Sequence, residues 1–333
     1  MKRFFLVTSL LAFLLIFNAC NSDCEICARL CPRCGYPEEV YVERSDMEGM
    51  MEVYVFGIGR ADAVLITTEN HAVLIDSGEN HHGGPIAGII NGRGITLDYL
   101  IITHFDRDHV GGAHHIINWV DVENVLVPNY SRPTRHVERF ETAMSNRGIT
   151  PQVVTEPIRF NLDGAWFTID PSDLPYKAFY VDIHDEYYDY DDYDIDPDDD
   201  DFVPTSDCFS LVVKVQHGRN DFLFLSDATT HRREQLLNSP EFMGTDWNFV
   251  KVQRHGRHDP RTNRFMNHLR DHTNVSVAVI TGFHPDYEEL YYPERPTDPR
   301  IIERLVDGGA EIFFTMSQHF QMRCDGNEFF VMR

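Results

Sequence analysis

The segment that most constrains this chain places potential metal ligands directly after an apolar run. Residues 99–102, Tyr-Leu-Ile-Ile, have the composition of a buried strand. Four ligand-type side chains follow at once: His104, Asp106, Asp108 and His109. In an extended chain, successive side chains point to opposite faces, so His104, Asp106 and Asp108 share one face and His109 points to the other. Gly111-Gly112 suits a turn that brings His109 back toward the other three. Because aspartate is rarely buried unless it is paired or bound to metal, the segment predicts a metal site, with a solvated polar loop as the alternative.

The pattern His-x-Asp-x-Asp-His-x-Gly-Gly over residues 104–112 resembles the metallo-β-lactamase superfamily, whose usual motif has His where Asp106 stands. The Asp variant is similar to the hydrolase domain of the ComEC-type DNA-uptake proteins and to the choline-binding phosphorylcholine esterase. Similarity to the ComEC-type domain continues from about Met51 to Arg333. The resemblance implies an α/β fold, a four-layer αββα sandwich of metallo-β-lactamase type, for a hydrolase domain at 51–333.

The resemblance also implies a site for two ions with one shared ligand. The first ion is implied to bind His104 and Asp106. The second is implied to bind Asp108, His109 and His255, and Asp227 is implied to bridge the two ions. The histidine that the family usually supplies before the bridging aspartate is missing from this sequence. Asp207 is the best candidate to replace it, and Cys208 and Ser210 are the alternatives.

The second departure from the family lies beside His255. The ComEC-type motif His-His-Gly-Ser appears here as Arg254-His255-Gly256-Arg257. His258 is close enough to His255 to replace it as a ligand. Arg254 and Arg257 are predicted either to clamp an anionic oxygen, since guanidinium offers a planar fork for phosphate, or to form surface salt bridges.

The resemblance implies a metal-dependent hydrolase of phosphodiester or phosphomonoester bonds that uses a metal-bound hydroxide, oriented by Asp108 as the catalytic residue. Two divalent ions are expected. Zinc is the first choice, and manganese is the second because the ligands are rich in carboxylates. One alternative is an acyl or lactone hydrolase of the same fold. The other is an envelope binding protein whose metal site has decayed, as Arg254 and the missing histidine suggest.

The formal net charge of −24 argues against a nucleic-acid substrate, because affinity for nucleic acid comes mainly from Lys and Arg on phosphates. We therefore expect the substrate to be a small molecule or an envelope polymer.

The N-terminus has the pattern of a targeting segment. Met1-Lys2-Arg3 precedes an almost wholly apolar run from Phe4 to Phe17, which predicts a signal peptide over residues 1–20. Ala19-Cys20 favours a lipoprotein signal with lipid on Cys20, and the alternative is an ordinary secretory peptide cut near Ala19. The expected location is the cell envelope, on the membrane through this lipid, or otherwise outside the cell.

The remaining cysteines fall into two groups. Residues 21–50 are predicted to be a tether that contains Cys24, Cys27, Cys31 and Cys34. In an oxidising compartment these favour two local disulfides, with a small metal knot as the alternative. Cys208 and Cys324 are either buried thiols or a bridge.

Two further polar segments have open interpretations. Residues 182–201 contain twelve acidic residues and are predicted to be a mobile insertion, with calcium binding or a gate against anionic substrates as alternatives. His81 and His82 precede a helix that is predicted over 85–90. They are predicted to lie in a polar loop, and the alternative is that they join a site. A second helix is predicted over 113–119.

Overall fold

This computed structural model describes residues 47–178, 205–257, 259, 261–282, 284, 297–316 and 318–332. The predicted signal peptide with Cys20, the four tether cysteines, the acidic insertion and His258 lie outside the described residues. Among those described, no helix combines the length and the apolar character that crossing a membrane requires.

Two large sheets contain most of the described strands. The first has eight strands in the order β17 (Phe329–Met332), β16 (Phe320–Cys324), β1 (Met51–Val55), β2 (Val64–Thr67), β3 (Ala72–Ile75), β4 (Leu97–Ile101), β5 (Val122–Pro128) and β7 (Gln152–Val154). The second has seven in the order β15 (Glu311–Phe314), β14 (Val277–Ile280), β13 (Trp247–Lys251), β12 (Asn220–Phe224), β11 (Val212–His217), β9 (Ala165–Asp170) and β8 (Ile158–Leu162). A short parallel pair joins β6 (Tyr130–Ser131) to β10 (Lys177–Ala178).

Helices cover the outer face of each sheet. Those that pack on the first sheet side are α1 (Asn80–Gly92), α2 (Arg107–Val110), α3 (Ala113–Trp119) and α4 (Arg135–Arg147). Those on the second sheet side are α5 (Thr230–Leu237), α6 (Pro240–Met243), α7 (Thr262–His272) and α8 (Pro299–Asp307). The predicted four-layer αββα sandwich is thereby confirmed.

Side-chain alternation builds the layers. In β2, Val64 and Ile66 point into the core between the sheets, and Leu65 points into the core under the first set of helices. In β12, Phe222 lies between the sheets and Leu223 faces the second set of helices. Each strand in the middle of the sandwich is therefore buried on both faces, which is why these strands are nearly continuous apolar runs.

The prediction for His81 and His82 was wrong, because both lie in the first turn of α1. The backbone N–H of Glu79 donates to Nδ1 of His82 at 3.0 Å, which gives the helix start a partner for one of its exposed donors. The helix predicted over 113–119 is present as α3. Cys208 and Cys324 are both buried free thiols, so of the two alternatives, thiols or a bridge, the structure has the thiols.

The chain direction decides where polar side chains gather. Strands β3, β4 and β5 are parallel, as are β12, β13 and β14. In an open α/β sheet, ligands bind outside the carboxyl ends of parallel strands. The predicted ligands follow such ends in both sheets: His104 to His109 come after β4, Asp227 after β12 and His255 after β13.

Candidate metal centre

Close backbone packing holds the segment with His109 in place. Gly112 lies so near the loop after β3 that a Cβ atom there would overlap the carbonyl oxygen of Ser77. The backbone N–H and hydroxyl of Ser77 both donate to the carbonyl of His109 at 2.8 Å. The glycine therefore lets α2 approach the end of β3.

Asp76 orients both the strand end and an imidazole. Its carboxylate accepts from the backbone N–H of Thr103 at 2.8 Å and from the Thr103 hydroxyl at 2.7 Å. It also accepts from Nδ1 of His109 at 2.8 Å. The Thr103 hydroxyl lies 3.1 Å from Nδ1 of His104. The Nδ1 atom of each ring thus has a hydrogen-bonding contact, and Nε2 is left for another partner. This arrangement is typical of metal-binding histidines.

Three polar atoms at this place are buried without a hydrogen-bond partner. They are Nε2 of His104, Nε2 of His109 and Oδ1 of Asp227. The last two lie 3.4 Å apart, and the three residues offer ligand atoms within 4.8 Å of one another. Because an unsatisfied buried polar atom is costly, this convergence fits a divalent cation.

A second group shares His109 with the first. Asp108, His109 and His255 also offer ligand atoms within 4.8 Å of one another. Oδ2 of Asp108 lies 3.2 Å from Nε2 of His255 and 3.8 Å from Nε2 of His109. Oδ2 of Asp227 lies 3.9 Å from Nε2 of His255, so the Asp227 carboxylate is close enough to contribute to both groups.

His255 is held from behind by the end of the neighbouring strand. Its Nδ1 lies 2.9 Å from the carbonyl oxygen of Thr281. Arg254 and His255 adopt φ values of 48° and 53°, in the left-handed region that non-glycine residues seldom occupy. Backbone strain of this kind persists where the surroundings impose it, which is typical of functional sites.

The sequence did not single out the buried ion pair beneath His255. Lys251 on β13 pairs with Asp62, and the hydroxyl of Thr281 donates to Asp62 at 2.6 Å. The available signal was a lysine that ends the strand Trp247–Lys251 directly after Phe249 and Val250. Asp62 therefore supports the same threonine that fixes His255.

A third group contains His104, Asp106 and Asp207, again with ligand atoms within 4.8 Å of one another. Nε2 of His104 lies 3.8 Å from Oδ1 of Asp207. Asp106, however, is paired with Arg132 and accepts from the Ser206 hydroxyl at 3.0 Å. The structure thus brings all seven predicted ligands to one place, and Asp106 shares its carboxylate with an arginine.

Arg254 is only 2% exposed, so the predicted surface salt bridge was wrong for this residue, and its predicted role as a clamp for an anionic oxygen stays a prediction. It lies between two buried carboxylates, 3.4 Å from Asp207 and 3.5 Å from Asp259. Asp259 is held in turn by Arg233 and Thr262. Positively and negatively charged side chains therefore alternate in the order Arg233, Asp259, Arg254 and Asp207.

The electrostatics keep two carboxylates anionic. Burial would raise the pKa of Asp227, but His109 and His255 hold it well below its usual range. Burial likewise opposes ionisation of Asp108, and His109 followed by His255 lowers its pKa. Asp108 and Asp227 are therefore charged at neutral pH, as cation ligands must be.

The other titratable groups shift in both directions. Burial by itself lowers the pKa of His109, but Asp227, Asp76 and Asp108 outweigh it and hold that pKa well above 6.5. Burial, followed by His109, lowers the pKa of His104. Burial, followed by the charge of Asp106, raises the pKa of Asp207 well above its usual range.

Solvent reaches one side of this site. The side chains of Asp108 and Asp227 are 24% and 13% exposed, whereas those of His104 and Asp207 are at most 2% exposed. A substrate that approaches from solvent therefore meets Asp108 and Asp227 first.

Comparisons with known proteins find relatives that match part of the chain. The chain is 34% identical over 71 residues to hydroxyacylglutathione hydrolase from Aliivibrio salmonicida, over 20% of this chain and 27% of that protein. It is 29% identical over 97 residues to Recombination protein 2 from Haemophilus influenzae, over 28% of this chain and 12% of that protein. The chain thus matches only about a quarter or less of the length of these relatives.

Among solved structures, the fold is similar to the metallo-beta-lactamase fold protein YhfI from Bacillus subtilis. The TM-score is 0.48 at 10% identity, and the alignment covers 83% of this chain and 99% of that chain. The family model of the metallo-beta-lactamase superfamily matches residues 57–272. That range holds the strand ends and all seven candidate ligands, and the protein belongs to the metallo-beta-lactamase superfamily.

Proposed function

We propose that the protein hydrolyses phosphodiester or phosphomonoester bonds with two divalent cations, zinc first and manganese as the alternative. The observation that carries the proposal is the convergence of unpartnered Nε2 atoms of His104 and His109 on Oδ1 of Asp227. These atoms are buried and have the chemistry of zinc ligands.

The ligands would divide into two sets that share the carboxylate of Asp227. Asp108, His109 and His255 would hold one ion, and His104, Asp106 and Asp207 would hold the other. When bound, such ions supply Lewis acidity, which lowers the pKa of water toward neutrality and offsets charge on a phosphoryl oxygen.

The chain's own residues set the geometry of attack. Asp108 is anionic and partly exposed, so it can accept a hydrogen bond from the attacking water and fix its orientation. Asp76 and Thr281 hold the rings of His109 and His255 from behind. The reacting groups are thereby positioned before the substrate arrives.

The choice of phosphoester over acyl substrates rests on the aspartate variant of the motif. The match to Recombination protein 2 supports placement in the ComEC-type subgroup. The match to hydroxyacylglutathione hydrolase favours an acyl ester or thioester as the second candidate. The net charge of −24 favours a small-molecule or envelope-polymer substrate over nucleic acid, and a lipid on Cys20 would place the enzyme on the membrane.

A substrate panel on metal-loaded protein tests the proposal. We expect turnover of bis-p-nitrophenyl phosphate or p-nitrophenyl phosphate to exceed that of an acyl-glutathione thioester and of a lactone. Asp108→Ala and Asp227→Ala should abolish it, whereas Asp98→Ala, a carboxylate held by His71 and the backbone N–H of Ala72 away from the site, should not.

Preference for the thioester would replace the proposal with acyl hydrolysis. Folded protein that binds no metal and turns over none of these compounds would show instead that it is a binding protein with a decayed site.

A further inference from the structure

The two ligand sets differ in the charges that surround them. We call Asp108, His109, His255 and Asp227 the open pocket, because two of its side chains reach solvent. We call His104, Asp106 and Asp207 the closed pocket, because all three are buried.

Each carboxylate of the closed pocket already faces a guanidinium. Arg132 pairs with Asp106 and donates to the Ser206 hydroxyl at 3.2 Å. Arg254 lies 3.4 Å from Oδ2 of Asp207. Two fixed positive charges therefore lie beside the carboxyl groups of the closed pocket before any ion enters.

Among the described residues, no guanidinium faces the carboxylates of the open pocket. The ion-pair partners of Asp108 and Asp227 are the imidazoles of His109 and His255. An imidazole can itself become a ligand through a neutral nitrogen, which a guanidinium cannot, and Oδ1 of Asp227 has no hydrogen-bond partner. A divalent cation therefore meets two carboxylates here without a fixed positive charge beside them, whereas in the closed pocket two guanidinium groups repel it.

Arg254 is anchored, so it cannot simply withdraw from Asp207. Its other contact is Asp259, 3.5 Å away, which Arg233 and Thr262 hold in place. The left-handed backbone at Arg254 fixes the side chain's origin between these two carboxylates.

We propose that Arg254 makes the two pockets unequal: the open pocket binds a divalent ion tightly, and the closed pocket binds one weakly because the guanidinium competes for Asp207. The inference rests on the proposed two-ion site. It assigns Arg254 as a residue that sets metal stoichiometry, so that at low metal supply the protein holds one ion firmly.

Titration of metal-free protein with Zn²⁺ alone, in competition with a fluorescent chelator, tests this without substrate. Wild-type protein should bind two equivalents with affinities that differ roughly tenfold or more. Arg254→Met should tighten the second equivalent roughly tenfold or more. Arg232→Met, which removes an equally buried arginine that bonds the carbonyls of Ser210 and Asp170, should leave the difference unchanged.

A second pair of variants decides the matter if Arg254→Met does not fold. Asp207→Asn should keep the tight equivalent and lose the weak one, whereas Asp108→Asn should lose the tight one. Equal wild-type affinities, an unchanged second equivalent in folded Arg254→Met, or loss of the tight ion in Asp207→Asn would each overturn the proposal. The titration measures binding and not turnover. A protein that fails the phosphoester assay can therefore still support or contradict this proposal.

Discussion

Nδ1 of His109 lies 2.8 Å from Oδ2 of Asp76, and this contact decides which ring nitrogen faces Asp227. Asp76 comes from the end of β3 and His109 from the turn after β4. The pair shows how the neighbouring strand sets the orientation of a ligand before any ion binds.

Asp76→Asn is expected to weaken Zn²⁺ binding about 10- to 100-fold, the usual cost of losing the group that orients a ligating histidine. The amide keeps the volume but removes the charge that favours the N–H of His109. Chelator competition measures the change. The matched control is Asp98→Asn, which alters a similar contact with His71 at 2.6 Å away from the site. Equal losses in the two variants would contradict the assignment.

Lys251→Met is expected to lower the free energy of unfolding by about 3–5 kcal/mol, because it leaves the buried carboxylate of Asp62 without its cation. Urea denaturation measures the loss. Lys214→Met removes a lysine from β11 that pairs with the more exposed Asp170 at 2.8 Å, and we expect a smaller loss there. If both variants lose the same stability, the Asp62 pair has no special role.

Gly112→Ala is expected to reduce both stability and Zn²⁺ affinity, because a methyl group there overlaps the Ser77 carbonyl and pushes the turn with His109 away from β3. We expect a loss of about 1–3 kcal/mol, the cost of overpacking. Gly92→Ala is the control, since a Cβ at the end of α1 meets nothing within 4 Å, and it should be neutral or slightly stabilising. Wild-type Zn²⁺ affinity in Gly112→Ala would count against close packing as the reason for this glycine.

The stability of metal-free protein is expected to fall as the pH rises above about 7. Buried histidines with a lowered pKa, such as His104, act in the opposite direction, but their effect is complete once the pH has passed 6.5. A histidine whose folded pKa is raised adds stability that is complete below 6.5 and is lost as the pH climbs through the folded value, as for His109. Asp207, with its raised pKa, acts in the same direction from 3.8 upward. With Zn²⁺ bound the trend should reverse, because deprotonated ligands bind the ion more tightly.

Urea denaturation between about pH 7.5 and pH 9, with EDTA and with Zn²⁺, checks the two signs above the range where the histidines with a lowered pKa titrate. Metal-free protein that gains stability as the pH rises would show that His109 does not hold a proton in the folded state.

Much of the architecture was predictable because its evidence is local. The apolar run before His104 and the ligand spacing after it lie within a dozen residues, and the aligned strand ends bring Asp227 and His255 to the same place. The four-layer fold was predicted from the resemblance to the superfamily, and side-chain alternation explains why the strands fit it, as in β2, where Val64 and Leu65 lie in different cores.

What the sequence did not reveal depends on contacts between distant segments. Arg132 reaches Asp106 from 26 residues away, and Lys251 reaches Asp62 from 189 residues away. Arg254 looked like a surface residue because its partners, Asp207 and Asp259, lie on other segments. A local pattern can identify a charged residue but not the buried partner that neutralises it. The N-terminal lipid and the role of the acidic insertion stay predictions.

The candidate ligands come from both halves of the sandwich. His104, Asp108 and His109 follow a strand of the first sheet, while Asp227 and His255 follow strands of the second. An ion held by both sets would act as a cross-link between the sheets. Parting of the two sheets and release of the ion would then be a single event, so resistance to unfolding would report directly on cofactor occupancy.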